Sequence, residues 1–404
     1  MTDNTNVDSI NLIGQDEINL LATLKAFCLG DKSKISLSKE EWMGVYSKSL
    51  GQSVETFVNE VIYEDDQIPE EILKGLAKEC RKTVLKNYRL FAFGKLITKA
   101  LEEEGIKNVI LKGMAAASMY SIPELRKSGD IDILLLNEKD FEKSIKVLEL
   151  KGLKKSEEQH ANHHMVMSYD RITVEIHTCM VEEFDDKAMN VFQNKLMEDI
   201  EENVTRVNCM GYEIPALKEA YNAYELLVHM LQHFLREGFG LRLITDWYMF
   251  WKQNISEEEK SKYLRLVNES KIKRFSDVIT LICIEYLGLE EEKVRFMDID
   301  HTIAYKDYLA DILKAGEFGI LENDRMIALK DDSLSEYVRV FHKQMHYNFP
   351  KAGKVFIIWP ILWIATLFIF LRNNRKIRNN NSGMSYLKKA KDRSALVKEL
   401  HLFK

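Results

Sequence analysis

The stretch KSGDIDILLL (residues 127–136) decides the fold. Asp130 and Asp132 are separated by one residue and run into four uncharged aliphatic residues, Ile133 to Leu136. A β-strand alternates its faces with a period of two, so both carboxylates point to one side while Ile131 and Ile133 point to the other. Two like charges held this close repel unless something positive lies between them.

The flanking sequence suggests what that is. Upstream, a short β-rich run ends in Leu111, Lys112 and Gly113 and leads into MAAASMY, a good helix former; Arg126 and Lys127 precede the acids. Downstream, HHMVMSYDRITVEIH (residues 163–177) reads as two alternating strands around a polar turn at Asp170 and Arg171. Val174 and Ile176 flank Glu175, which therefore faces away from them, toward a cleft. Three carboxylates on strands of one small sheet suit a pair of divalent cations. Magnesium takes hard oxygen ligands and keeps substrate phosphate in its shell. Two such ions about 4 Å apart stabilise the attacking and leaving oxygens of a phosphoryl displacement. A glycine beside them lets backbone approach phosphate closely.

Taken together, LKGMAAASMY, RKSGDIDILL and VEIH resemble the nucleotidyltransferase superfamily of the DNA polymerase beta type. The resemblance is closest to uncharacterised bacterial members with an LKG…GDIDLL…VEIH layout, and extends over roughly residues 105 to 250. It implies that Asp130, Asp132 and Glu175 ligate two Mg2+ ions and that Glu175 helps to activate the incoming hydroxyl. Gly113 would abut the phosphates of a nucleoside triphosphate, with Lys112, Arg126 and Lys127 as further nucleotide contacts. At Met114 the sequence departs from the family, which places serine or a second glycine there; the amide survives and the hydroxyl does not.

The 404 residues are 46% hydrophobic and carry a net charge of −6, which argues against general DNA binding. Five unclustered cysteines and a polar, acidic N-terminus fit a reducing cytoplasm and give no secretion signal. The expected fold class is α+β. A small mixed-sheet nucleotidyltransferase core (105–200) follows an N-terminal helical region (1–104). A C-terminal helical domain (201–344) and a hydrophobic helix with a basic tail (345–404) complete the chain. In the helical domain, His229 and His233 share a face at i, i+4, and Arg242 and Asp246 read as a pair on a helix surface or, as the resemblance implies, facing the cleft. HANHH (160–164) reads as a polar loop.

VFIIWPILWIATLFIFL (355–371) is uncharged and is followed by Arg372, Arg375, Lys376 and Arg378. It is shorter than the ~20 residues of a typical membrane span. Packing against the body or a partner, lying on a membrane surface and spanning a bilayer all remain open for it. The expected activity moves a nucleoside monophosphate from a triphosphate to an acceptor hydroxyl on a small molecule, saccharide, protein or RNA. The alternatives are an Asp-x-Asp glycosyltransferase using a sugar nucleotide and a catalytically decayed nucleotide-binding scaffold, the latter motivated by Met114.

Overall fold

The computed structural model describes residues 13–31, 35–62, 68–156, 164–317, 334–349, 352–379 and 386–402. The N-terminal helices are α1 (Gln15–Leu29), α2 (Lys39–Gly51), α3 (Glu55–Val61) and α4 (Glu70–Glu103). α1 ends where Gly30 adopts the left-handed conformation at φ 69° and its N–H reaches back to the carbonyls of Ala26 and Phe27. α2 starts with a capping box: the Ser38 hydroxyl accepts from the Glu41 amide, and the Glu41 carboxylate accepts from the Ser38 amide. α4 is a 34-residue helix whose buried residues Leu76, Thr83, Asn87, Leu90, Phe91, Gly94 and Leu101 follow the helical period along one side.

The core then alternates strands and helices: β1 (Asn108–Leu111), α5 (Gly113–Ala117), β2 (Ile131–Leu135), α6 (Phe141–Leu150), β3 (Lys154–Lys155), β4 (His164–Tyr169) and β5 (Ile172–His177). The strands form a five-stranded sheet in the order β1-β2-β5-β4-β3. β2 and β5 pair in parallel at its centre, while β1–β2, β4–β5 and β3–β4 are antiparallel. The β4–β5 hairpin turns at Asp170 and Arg171, both at positive φ (40° and 67°), as the sequence pattern predicts. The protein is therefore α+β with a small mixed sheet and helical flanks.

α7 (Lys187–Glu198) leads to a second pair of strands, β6 (Val204–Cys209) and β7 (Tyr212–Leu217), which form an antiparallel hairpin. The sequence reading placed these residues at the start of an all-helical region. Their apolar residues instead alternate around Met210 and Gly211, both at positive φ (54° and 78°), and β7 packs beside β1. The long helices follow: α8 (Glu219–Leu235), α9 (Leu241–Trp251), α10 (Glu257–Glu269), α11 (Lys273–Ile282), α12 (Glu291–Val294) and α13 (Tyr305–Ala315). α14 (Leu334–Asn348), α15 (Trp359–Asn379) and α16 (Tyr386–Glu399) close the chain.

Two faces of the central sheet serve two cores. Ile131, Ile133, Leu135, Val174 and Ile176 pack with Leu90, Phe91, Ile97 and Leu101 of α4. On the opposite face, Val109, Leu111 and Leu134 join a larger core shared by the N-terminal helices and α8–α13. Every residue of α9 is buried. The two helical regions are stitched to each other: the Tyr248 hydroxyl donates to the Cys28 carbonyl (3.0 Å), and the Gln52 side chain bonds to Leu313 O and Leu241 N (2.9 and 3.0 Å). The site face of the sheet is therefore roofed by helices from both ends of the chain.

No helix among the described residues is long and apolar enough to cross a membrane. α15 lies against α14, with Trp359 and Trp363 edge-on to His342.

Candidate active site

Parallel pairing of β2 with β5 fixes the centre of the site, because it makes Asp132 and Glu175 direct register partners. Both side chains leave the sheet on the face opposite the Ile131–Ile133 and Val174–Ile176 core. His177, two residues beyond Glu175, shares that face. Its Nε2 lies 3.0 Å from Asp132 Oδ1 and 3.6 Å from Glu175 Oε2, so one ring nitrogen bridges the two acids. His164, which opens β4 opposite His177, lies 3.0 Å from Glu175 Oε2 through its Nε2. The two imidazoles stack at 4.7 Å and 7°. His164 therefore sits on a strand within the cluster rather than in a polar loop; His160 and His163 lie outside the described residues.

Asp130 stands just before β2. Burial and the negative charges of Asp132 and Glu175 push its carboxyl up to about 7. Asp132 goes the other way. Burial alone would raise it, but Lys112, whose Nζ is 3.7 Å away, and the His177 hydrogen bond outweigh burial and hold it ionised. Lys112 is likewise held charged against its own burial by Asp132, Glu225 and Asp130. Its backbone is unusual, with φ 48° and ψ −136°, and Gly113 follows at φ 27°. A Cβ placed on Gly113 would sit 3.4 Å from the Asp130 carbonyl oxygen, so the glycine bend lies directly against the acidic loop. Met114 is 4% exposed and packs in the core with Ile110 and Ile131. The position that departs from the family pattern thus points its side chain into the core.

Arg126 and Lys127, expected as triphosphate contacts, are engaged elsewhere. Arg126 is buried and grips Asp246 of α9 with two hydrogen bonds, Nε to Oδ1 at 2.9 Å and Nη2 to Oδ2 at 2.6 Å. The Tyr120 hydroxyl donates to the same carboxylate at 2.6 Å, and Asn87 holds the Arg126 carbonyl at 2.8 Å. Lys127 pairs with the buried Glu55 at 2.9 Å. A charge preceding an acidic motif is equally useful for anchoring the loop, and sequence cannot distinguish the two uses. The same network corrects the reading of Arg242 and Asp246 as a surface pair. Both are buried; Arg242 hydrogen-bonds chiefly to Glu317, and its closest approach to Asp246 is 3.9 Å.

Glu225 was not legible as a site residue. It is 1% exposed on α8, neither carboxylate oxygen has a hydrogen-bond partner among the described residues, and burial pushes it up to about 7 against the pull of Lys112. The available signal was a lone acid in the apolar run Tyr224–Val228, one helical turn before His229. His229 is kept neutral by burial and by the nearby cations Lys112 and Arg242. His229 and His233 pack edge to face, and His233 bonds to Glu237 at 2.6 Å. Among the described residues, the only histidine–acid cluster with metal-ligand spacing is His164, Glu175 and His177.

The donor set suits a dication. Asp132 and Glu175 are register partners with Lys112 beside Asp132, and carboxylate oxygens are the ligands magnesium prefers. The glycine bend lies beside these acids, on two central parallel strands of a small mixed sheet. Residues 40–288 match the model of a family described as uncharacterised nucleotidyltransferases, and the chain belongs to that family. Among solved structures, an antigenic nucleotidyltransferase-like protein from Paracoccidioides brasiliensis is 15% identical with a TM-score of 0.30, over 45% of this chain and 88% of that one. No curated protein matches the chain.

Proposed function

We propose that this protein moves a nucleoside monophosphate from a nucleoside triphosphate to an acceptor hydroxyl, using divalent cations held by Asp130, Asp132 and Glu175. The observation that carries the reading is the register pairing of Asp132 with Glu175, with the Gly113 bend against the Asp130 carbonyl just before the strand. Magnesium, when bound there, would supply the positive charge that stabilises the α-phosphate and the departing pyrophosphate. The chain's own residues do the rest by positioning. Lys112 keeps Asp132 ionised, and His177 fixes that carboxylate toward the cleft. Gly113 leaves room for a phosphate beside the loop. Glu175 faces the cleft and is placed to draw the proton from the attacking hydroxyl, with His164 hydrogen-bonded behind it. The helical roof forms the acceptor side.

The test uses full-length protein with Mg2+ and nucleotides labelled at either the α or the γ phosphate, against small-molecule, saccharide, protein and RNA acceptors. The reading requires α label on an acceptor and release of pyrophosphate. Tight Mg2+–triphosphate binding without label transfer to any acceptor would instead make the protein a nucleotide-binding scaffold. Binding of a sugar nucleotide, but of no triphosphate, would make it a glycosyltransferase. Among the described residues one strand, β1, precedes the acidic motif, whereas a glycosyltransferase requires a larger nucleotide-binding sheet there.

A further inference from the structure

We infer that His164 and His177 are themselves metal ligands, so that one cation position in the cluster takes a transition-metal dication, Mn2+ being the probe of choice, in preference to Mg2+. The inference rests on the proposed metal role of the acidic cluster and adds nitrogen donors to it. The ligand atoms of His164, Glu175 and His177 lie within 4.8 Å of one another. An ion with bonds of about 2.1 Å separates adjacent ligands by roughly 3–3.5 Å, and opposite ones by roughly 4.2 Å. The His164–Glu175 spacing of 3.0 Å, the His177–Glu175 spacing of 3.6 Å and the His177–Asp132 spacing of 3.0 Å match adjacent ligands. Both imidazoles present Nε2 to the acids from stacked rings on paired strands, so one small movement of two side chains closes the cage. Imidazole nitrogen suits manganese, iron, cobalt and zinc, whereas magnesium strongly prefers oxygen.

The test is spectroscopic and independent of turnover. Full-length protein is loaded with Mn2+ and examined by pulsed electron paramagnetic resonance for coupling to nitrogen. The expected result is coupling from two imidazoles in the wild type and from one in His164→Gln or His177→Gln. Mn2+ affinity should fall at least tenfold in each variant, and by more than Mg2+ affinity falls. Bound Mn2+ without nitrogen coupling overturns the inference while leaving the transferase reading intact. Nitrogen coupling in a protein that never transfers α label leaves the inference standing and removes the transferase reading. Circular dichroism of both variants checks that the sheet is retained.

A separate observation concerns the C-terminal segment. Ile357, Ile361, Ile364, Phe368 and Leu371 are spaced by three or four residues and are 49–81% exposed. Ile361, Ile364, Phe368 and Leu371 line one side of α15 over about 15 Å, with Ile357 in the turn just before it. Leu362 and Thr366 face inward. The chain then runs straight into Arg372, Arg375, Lys376 and Arg378. We propose that this stripe lies on an anionic lipid surface, with aliphatic and aromatic side chains in the acyl boundary and the sequence's basic run favouring anionic over neutral lipid. Charge complementarity favours lipid as the occupant. The stripe contains no polar residue with which a protein groove would fix register, and it ends in a cluster of like charge. In sedimentation with vesicles of phosphatidylglycerol and phosphatidylcholine, the wild type should bind at least tenfold better than the double variant Ile361→Glu, Phe368→Glu, and better than to phosphatidylcholine alone. Equal partitioning of wild type and variant, or a stripe-dependent dimer in light scattering with no vesicle binding, overturns the lipid assignment. Both substitutions are at exposed positions, and thermal unfolding confirms that the body is unaffected.

Discussion

Removing the Asp246 carboxylate should destabilise the protein by about 3–5 kcal/mol, the cost of leaving a buried charge without its partner. The side chains of Arg126 and Asp246 are 2% and 1% exposed, so water cannot replace the lost carboxylate. In Asp246→Ala, the Arg126 guanidinium keeps only its longer contacts to Lys127 O and Ser128 Oγ, both 3.3 Å, and the Tyr120 hydroxyl loses its acceptor. The pair joins the loop carrying Asp130 to α9, so the loss falls on the contact between sheet and helical roof. Urea unfolding followed by far-ultraviolet circular dichroism gives the stability change, and a shift in midpoint without a change in slope shows that the cost is in the native state. The double variant Arg126→Met, Asp246→Leu should recover most of the loss, because replacing both ions with apolar groups removes the uncompensated charge. A double-mutant cycle then isolates the coupling. A loss under about 1 kcal/mol in Asp246→Ala, or a double variant no better than the single, would refute the structural assignment of Arg126 and return it to the nucleotide contacts.

Asp130→Asn should abolish α-label transfer while the circular dichroism spectrum stays unchanged, since the carboxylate serves the site and not the packing; activity within a few-fold of wild type counts against the proposed chemistry. Glu225→Gln should stabilise the metal-free protein at high pH. The folded carboxyl is raised from its ordinary 4.5 to about 7, so wild-type Glu225 contributes stability below about pH 4.5 that is lost as pH rises through 7. The variant's advantage should accordingly be absent at pH 4 and reach a few kcal/mol at most by pH 8, measured by urea unfolding at each pH. A pH-independent difference would mean that the carboxyl is not raised in the folded state. Gly113→Ala should cost about 1–2 kcal/mol from the positive φ and move the Asp130 backbone, weakening Mg2+–triphosphate binding in calorimetry. Unchanged binding would separate the glycine bend from the phosphate site.

Much of the core was legible because its signals are local. The period-two pattern of 163–177, with a polar pair where φ must turn positive, fixes a hairpin without knowledge of its neighbours. Gly30 at the end of α1 and Ser38 before Glu41 at the start of α2 satisfy helix ends by bonds within a few residues. The face shared by Asp132 and Glu175 likewise follows from strand geometry. Strand pairing is not local, and sequence could not say that β2 lies parallel beside β5 so that these two acids become direct partners. The hairpin at 204–217 was missed because its alternation is weak and it lies between strongly helical stretches.

The charges show the same division. The sequence pattern puts Asp130 and Asp132 on one side as an expectation from strand period, with Arg126 as a cation near them. Only the tertiary structure decided that Arg126 spends its charge on an acid 120 residues away and that His164 reaches Glu175 across a hairpin. It also placed Glu225, from a helix outside the sheet, beside Lys112. Backbone periodicity sets the direction of a side chain within its own element, whereas the partner it meets depends on which other element the hydrophobic core draws alongside.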